Sequence, residues 1–363
     1  MIRERVEVAG RPYEIVIGPD VLARTGTFLQ ELGVKTSSKH LVITDENVAS
    51  KGHLEKVTSS LMELGFTYDV YIIPPGEESK SLERATEAYE AAYRAGLDRR
   101  SVVLALGGGV VGDFAGFIAA TYMRGVDFVQ LPTTLLAHDS AVGGKVAVNL
   151  AHAKNLIGAF HQPLAVLYDT EALKTLPVRE LRSGLAEAIK HGLIQDGALF
   201  DWILEHVEEI LRVDDAVMAE LLARSCRVKT SVVAEDEREN GLRAILNFGH
   251  TIGHAVEGLM EYEYTHGECV GLGMVAAAEL SVELGLCTPL VAEDVEDAVE
   301  KAGLPTRIPA KLSADELIAS MRQDKKATGG TLTFVLLTGK GSVVIDKDVP
   351  EETVRAVIER KRG

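Results

Sequence analysis

The chain has little cysteine, no surplus of basic charge and no long apolar run, and each absence removes a class of protein. Its three cysteines are Cys226, Cys269 and Cys287. Their odd number and lack of framework spacing exclude a disulfide scaffold and point to a reducing compartment. Lysine and arginine total 38 against 54 acidic residues, a formal charge of −16. That excludes sequence-independent nucleic-acid binding, which needs a basic surface. An anionic ligand must then be drawn by a local cluster of cations, not by the overall field. No apolar run approaches the roughly 18 residues that span a bilayer. The opening MIRERVEVAG is charged and lacks the apolar core of a signal peptide. A cytoplasmic protein without nucleic-acid or membrane partners is expected. Internal repeats and low-complexity tracts are also absent.

What is present is an alternation of strands and helices. At 363 residues the chain exceeds what one core usually serves, so two domains are expected. The first half carries candidate strands YEIVI (13–17), HLVIT (40–44), YDVYII (68–73), SVVLAL (101–106), FVQLP (128–132) and LAVLYD (164–169). Amphipathic stretches such as SLERATEAYEAAYRAG lie between several of them. Apolar strands alternating with helices imply a mainly parallel sheet covered on both faces. Beyond about residue 178 long helical patterns dominate, followed by a hairpin at 331–345 and a last helix. The expected architecture is an α/β, Rossmann-like N-terminal domain (1–178) and a mostly α-helical C-terminal domain (179–363), with a cleft between them as the default site.

Three stretches carry chemistry. In SVVLALGGGVVGDFAGF a buried strand leads into Gly107, Gly109 and Gly112 at G-x-G-x-x-G spacing, then a helix. Such glycines let backbone approach a diphosphate at a helix N-terminus. The motif falls too late for a standard Rossmann domain, and no acid closes the following strand. Asp45 after HLVIT, and Glu77 with Lys80 beyond YDVYII, are better placed to hold ribose hydroxyls, because ligands bind at the carboxyl ends of such strands. Second, Lys145, Lys154, Lys190, Lys229 and Arg243 sit beside glycine, asparagine or histidine in otherwise apolar text. Each alone reads as a solvated charge, but together they suit an anion site in an acidic protein.

Third, SGLAEAIKHGLI places Glu187 in an apolar helix with Lys190 three residues on, so the carboxylate is either paired to that lysine or a metal ligand. His250, His254 and His266 fall within 17 residues of a chain with ten histidines. His250 and His254 are four apart, on one helix face, like the paired ligands of H-E-x-x-H metalloproteases. Thr251 stands where such a protease has its glutamate. Two histidines and one carboxylate form a common open zinc set, but spacing does not decide which two histidines bind. Cys269 reads as a small buried residue.

The chain resembles the 3-dehydroquinate synthase family of the shikimate pathway. The resemblance is carried by PGEESK, GGGVVGDFAGFIAATYMRG, LPTTLLA, DSAVGGK, KNLIGAFHQP, TLPVRELRSGLAEAIKHG, EDERENGLRAILNFGHTIGHA, HGECVGLGM and DKK. It implies the two-domain fold above, usually as a homodimer. It implies a Zn2+ or Co2+ ion on Glu187, His250 and His266. NAD+ would be held by Asp45, Glu77, Lys80, the loop Gly108, Gly109, Val110, Val111 and Gly112, Asp113, Thr133, Thr134, Lys145, Lys154 and Thr175. Catalytic roles would fall to Lys145, Lys190, Lys229, Glu239, Arg243, Asn247 and His254. Asp139, Asn155 and Lys326 would bind substrate, with Arg124 reaching across the dimer. His254 would face the substrate phosphate, and Asn247, one turn before His250, would extend the same helix face. Many members have one more residue before DSAVGGK and threonine where Val146 stands, which bears on His138 and Asp139.

The implied reaction converts 3-deoxy-D-arabino-heptulosonate 7-phosphate to 3-dehydroquinate and phosphate. Rival activities are another sugar phosphate cyclase, making 2-deoxy-scyllo-inosose or an epi-valiolone, and a metal-dependent polyol dehydrogenase. A non-catalytic NAD-binding protein is a third. Substrates of the other cyclases lack a carboxylate, so Lys229 and Arg243 favour the synthase. A dehydrogenase would release NADH at each turnover, and the intact metal, cation and glycine positions oppose the non-catalytic alternative.

Overall fold

All six strands expected in the first half form in the computed structural model, which describes residues 1–8, 11–150, 153–237, 241–261, 263–326 and 332–363, side chains at 153 and 324–326 excepted. The chain folds as two compact units: Met1–Leu176 with Asp215–Glu237, and Pro177–Asp214 with Arg238–Gly363. The first contains β1 (Ile2–Val6), β2 (Tyr13–Gly18), α1 (Thr25–Glu31), β3 (Lys39–Asp45), α2 (Glu46–Ser50), α3 (His53–Glu63), β4 (Thr67–Ile73), α4 (Leu82–Ala95), β5 (Val102–Gly107), α5 (Gly109–Thr121), β6 (Asp127–Pro132), α6 (Ala137–Ser140), β7 (Lys145–Leu150), β8 (Ala153–Phe160), β9 (Ala165–Asp169) and α7 (Thr170–Leu173). The second contains α8 (Val178–Gln195) and α9 (Gly197–Leu211). The chain then returns to the first unit as α10 (Asp215–Glu235) before α11 (His250–Leu259), α12 (His266–Glu283), α13 (Pro289–Lys301), α14 (Ala314–Lys326), β10 (Phe334–Gly339), β11 (Ser342–Asp346) and α15 (Glu351–Lys361) complete the second. The expected division at residue 178 is thereby corrected in one respect. Helix α10, expected in the helical domain, belongs to the α/β unit, where Arg227 reaches Glu4 at 2.9 Å.

The sheet of the first unit has the order β1-β2-β9-β6-β5-β3-β4, and every pairing except β1 with β2 is parallel. Alternate residues of one strand enter opposite cores, as a two-residue side-chain period requires. Leu41, Ile43, Val103 and Ala105 join Phe114 of α5 on one face, while Val42, Leu104 and Leu106 join Val129 and Leu131 on the other. From β3 the chain runs outward to β4, then returns to the other side of β3 as β5. The switch point therefore lies between β3 and β5, where an open α/β sheet leaves a crevice at its carboxyl edge. The end of β3 is Asp45 and the end of β5 is Gly107. The β7/β8 hairpin, which the sequence did not announce, lies against α5, with Val146 only 2% exposed.

In the second unit the hairpin expected at 331–345 appears as β10 and β11, and the last helix as α15. Ile252 of α11, Leu272 and Leu280 of α12, Leu317 of α14, Phe334 and Leu336 of β10 and Val357 of α15 share one core. An α/β unit and a mainly helical unit are the fold class that the residue patterns implied.

Gly116 lets α5 approach the hairpin, since a Cβ there would lie 2.3 Å from Cγ1 of Val146. Gly116→Ala should destabilise the protein by about 1–3 kcal/mol through overpacking. Adding Val146→Ala should recover part of that loss, because the two changes share one contact. Urea unfolding of both variants checks this, and strict additivity would contradict the contact.

Candidate functional site

In the second unit three helices bring one carboxylate and two imidazoles together. Glu187 lies in the middle of α8 at 1% exposure, among apolar neighbours. Its Oε2 accepts a hydrogen bond from the equally buried Lys190 Nζ, while Oε1 lies 3.6 Å from His250 Nε2 and 3.3 Å from His266 Nε2. The sequence left open whether Glu187 pairs with lysine or faces a metal; one of its oxygens meets Lys190 and the other is turned toward the two imidazoles. His250 opens α11 and His266 opens α12. Helix α12 starts with a capping box between Thr265 and Glu268, and Arg179 of α8 grips Glu268 at 2.9 and 2.7 Å. Those bonds fix where His266 leaves the backbone.

Glycines set how closely the helices approach. A Cβ at Gly273 of α12 would stand 1.8 Å from the carbonyl oxygen of Gly249, and one at Gly267 would stand 2.1 Å from that of Ser183 in α8. Gly249, with φ of 77°, is the N-cap of α11. The glycine before each histidine of NFGHTIGHA is thus a packing requirement, since Gly253 too meets the backbone of Cys269. Gly249 also corrects the expected placement of Asn247. That residue ends a 3₁₀ turn, Leu242–Asn247, and the left-handed glycine separates it from α11, so it does not share the His250 helix face.

The trio suits a divalent metal. His250 Nδ1 lies 3.0 Å from the Phe248 carbonyl oxygen and His266 Nδ1 lies 3.1 Å from Glu257 Oε2. With Nδ1–H donating in each ring, both Nε2 atoms turn toward Glu187, where each would offer its lone pair to an ion. A tetrahedral ion with ligands at about 2.0–2.1 Å sets its donors about 3.3 Å apart, close to the 3.3 and 3.6 Å here. The charges are uneven without an ion. Burial, then the Lys190 charge, pushes His250 down to about 3. Burial also opposes charge on His266, but hydrogen bonds to Glu187 and Glu257 and their charges raise it to about 10. His254, one turn beyond His250, is exposed, its ring 5.1 Å from that of His250 and 5.9 Å from that of His266. Arg243, only 1% exposed, sits in the 3₁₀ turn. Lys326 ends α14, and Glu239 lies outside the described residues.

In the first unit some of the residues expected around NAD+ lie at the switch point, where Asp45 ends β3 and Gly108–Gly112 follow β5, while Lys145 and Lys154 lie on the β7/β8 hairpin and Thr175 follows α7. Helix α5 starts after Gly108, which brings no side-chain cap, so no N-cap side chain takes up its first-turn amides. Gly108 abuts Thr134, where a Cβ would meet Cγ2 at 2.8 Å, and Thr133 donates its N–H to the Gly107 carbonyl. Val111 is fully buried, which leaves its backbone to serve, and Val110 is part-buried. Lys80, 3% exposed, donates to Asp113 Oδ2 at 2.7 Å and Asn155 Oδ1 at 2.6 Å, and lies 3.4 Å from Glu77 Oε1. Burial raises the Asp113 carboxyl above its ordinary value, and Lys80 pulls it back. Asp45 caps α2 through Val48 N, and Thr175 bonds His53 Nε2 at 2.8 Å. Lys229 of α10 pairs with Asp139 at 2.9 Å, and buried His138 is tied to the Leu135 carbonyl. Lys145, Lys154 and Arg124 are exposed. Val146 belongs to the core face of its strand, so valine for threonine leaves these polar contacts untouched.

Two residues escaped the sequence reasoning. Asn149 Nδ2 donates to Glu77 Oε1 at 2.8 Å while its Oδ1 accepts from Asn155 N at 2.7 Å, a bridge that only the hairpin creates. Glu257 had a signal, because His250, His254 and Glu257 follow i, i+4, i+7 along one helix face.

Residues 70–183 match the family model for the 3-dehydroquinate synthase N-terminal domain, and 184–327 match that for the C-terminal domain. A 3-dehydroquinate synthase of Desulforamulus reducens is 48% identical over 98% of both chains, and one of Caulobacter vibrioides is 46% identical over 97% of both. Among solved structures, 2-epi-5-epi-valiolone synthase from Streptomyces hygroscopicus, with NAD+ and Zn2+ bound, aligns with a TM-score of 0.88 at 29% identity, covering 99% of this chain and 98% of that one. A 2-deoxy-scyllo-inosose synthase complexed with carbaglucose-6-phosphate, NAD+ and Co2+ aligns at 0.89 and 26%, covering 99% and 100%.

Metal binding to Glu187, His250 and His266 should release about one proton near pH 8, because His266 titrates at about 10 without the ion while His250 is already neutral. Affinity should therefore rise about tenfold per pH unit from 7 toward 9. Calorimetry in buffers of different ionisation enthalpy counts the proton, and a pH-independent affinity would contradict the assignment.

Proposed function

The chain belongs to the 3-dehydroquinate synthase family, and we propose that it performs that chemistry with a metal on Glu187, His250 and His266 and NAD+ at the β3/β5 switch point. It is a 3-dehydroquinate synthase, an NAD- and divalent-metal-dependent lyase of the shikimate pathway. It converts 3-deoxy-D-arabino-heptulosonate 7-phosphate to 3-dehydroquinate and phosphate by transient oxidation, elimination, reduction and intramolecular aldol closure. The observation that carries the site assignment is the convergence of Glu187 Oε1 with two Nε2 atoms at 3.3 and 3.6 Å.

When bound, the metal supplies Lewis acidity that lowers the pKa of a substrate hydroxyl. When bound, NAD+ supplies the hydride acceptor and donor, and it ends unchanged. The chain's own residues supply position and charge. The exposed imidazole of His254, on the next turn from His250, faces the substrate phosphate. Lys145, Lys229 and Arg243 balance the carboxylate. Lys190, held by Glu187, presents a buried cation beside the metal ligands. Asp139, Asn155, Asn247 and Lys326 orient the sugar, and Glu239 relays a proton through water. The departing phosphate is itself a sufficient base, so the reaction asks the protein mainly for preorganised charge. Glu77, Lys80, Asp113, Asp45, Thr133, Thr134, Lys154 and Thr175 hold the dinucleotide around the first-turn amides of α5. A cationic set for a carboxylate favours this substrate over the carboxylate-free substrates of the other cyclases. The butanol dehydrogenase from Thermotoga maritima, at 17% identity, shares the fold alone.

We further propose a homodimer working in the cytoplasm, with Arg124 of one protomer reaching the substrate of its partner. Arg124 is exposed and follows Met123 in a left-handed turn, at φ of 71° and 51°, a strained conformation of the kind that clusters at ligand clamps. Among the described residues no helix is long and apolar enough to cross a membrane.

Enzyme, NAD+ and the heptulosonate phosphate should yield equal phosphate and dehydroquinate without net NADH, and a chelator should stop both. Phosphate release that survives complete metal removal would sink the metal assignment. His250→Ala should lose the metal while His254→Ala keeps it and still loses activity. Light scattering should give twice the protomer mass, and mixing inactive Arg124→Ala with inactive His250→Ala should restore partial activity; a monomer, or no recovery, would refute the shared site.

A further inference from the structure

Two overlapping donor groups share one imidazole. Glu187, His250 and His266 offer ligand atoms within 4.8 Å of one another, and so do His254, Glu257 and His266. The ring of His266 stands between them, with Nε2 3.3 Å from Glu187 Oε1 and Nδ1 3.1 Å from Glu257 Oε2. A ring nitrogen that bears hydrogen has no lone pair for a metal, so the tautomer of His266 decides which group can close around an ion. We propose that Glu257 is the positioning residue of the metal centre: by accepting the Nδ1 hydrogen of His266 it turns the Nε2 lone pair toward Glu187 and selects that trio over the overlapping one. The proposal rests on the assignment of the metal to Glu187, His250 and His266.

The two histidines differ in what orients them. His250 is oriented by a backbone carbonyl, that of Phe248, which no substitution removes. His266 is oriented by a side chain. Its side chain is also the more exposed of the two, at 32% against 12%. The capping box and Arg179 fix the backbone of His266 but not the rotation of its ring. Glu257 reaches that ring from the face of α11 that already carries His250 and His254, and its own side chain is 13% exposed. A carboxylate accepting from the far nitrogen of a ligating histidine sets the tautomer and raises ligand basicity, and its loss typically weakens metal binding about 10–100-fold.

Cobalt titration of the full-length, metal-stripped protein, followed by its visible spectrum and by chelator competition, tests this in three variants. Glu187→Gln should abolish tight binding. Glu257→Leu should weaken it about 10–100-fold, and Glu257→Gln, which retains an acceptor oxygen, should recover most of the loss. Unchanged affinity in Glu257→Leu would overturn the proposal. So would a loss as complete as that of Glu187→Gln, since Glu257 would then be a ligand. Wild-type affinity in Glu187→Gln would remove the underlying metal assignment and the proposal with it. If Glu257→Leu melts well below the metal-free parent, ring 15N shifts of histidine-labelled holoprotein decide instead: hydrogen on Nδ1 of His266 supports the proposal, and hydrogen on Nε2 overturns it.

Discussion

A carboxylate placed in the middle of an apolar helix must be matched by positive charge, and Glu187 at 1% exposure imposes that condition on the second unit. One oxygen meets the buried ammonium of Lys190, and the other turns toward two imidazoles from two further helices. An ion held there, as proposed, would add bonds that tie α8, α11 and α12 to one another. The same requirement explains why the imidazoles point inward by Nε2: their Nδ1 atoms are committed to Phe248 and Glu257. Site chemistry and helix packing are one problem in this region.

Close packing is the other half of that problem. The three helices that present these donors also approach one another closely, and glycine allows this. Gly249, Gly253, Gly267 and Gly273 each stand where a Cβ would meet backbone. The first unit solves a similar problem around Lys80, whose buried ammonium ties Glu77, Asp113 and Asn155 together from three separate stretches of chain. With one cation against two carboxylates this cluster is a positioning network rather than an anion site, and in a chain of net charge −16 an anionic ligand must be drawn by cations elsewhere.

Much of the fold and of the site was legible in the residues alone. The six strands were visible because buried parallel strands are continuous apolar runs, and the donor residues were visible because histidine and lysine are rare in apolar text. Helix α10 was assigned to the wrong unit, since its amphipathic pattern gives the face it buries and not the partner against which it buries it. Asn247 was placed on the histidine helix because the i, i+3 count runs on through Gly249, whose positive φ breaks it. The bridge through Asn149 depends on the β7/β8 hairpin, which its sequence did not announce.

The sequence by itself determined element types, donor chemistry and family, because periodicity, capping and motif spacing act over a few residues. Only the tertiary structure decided which atoms meet: which oxygen of Glu187 faces Lys190, which nitrogen of His266 faces Glu187, and which glycines stand at backbone contacts. Those choices depend on the packing of helices far apart in the chain, and a displacement of an ångström would undo them without altering any local pattern.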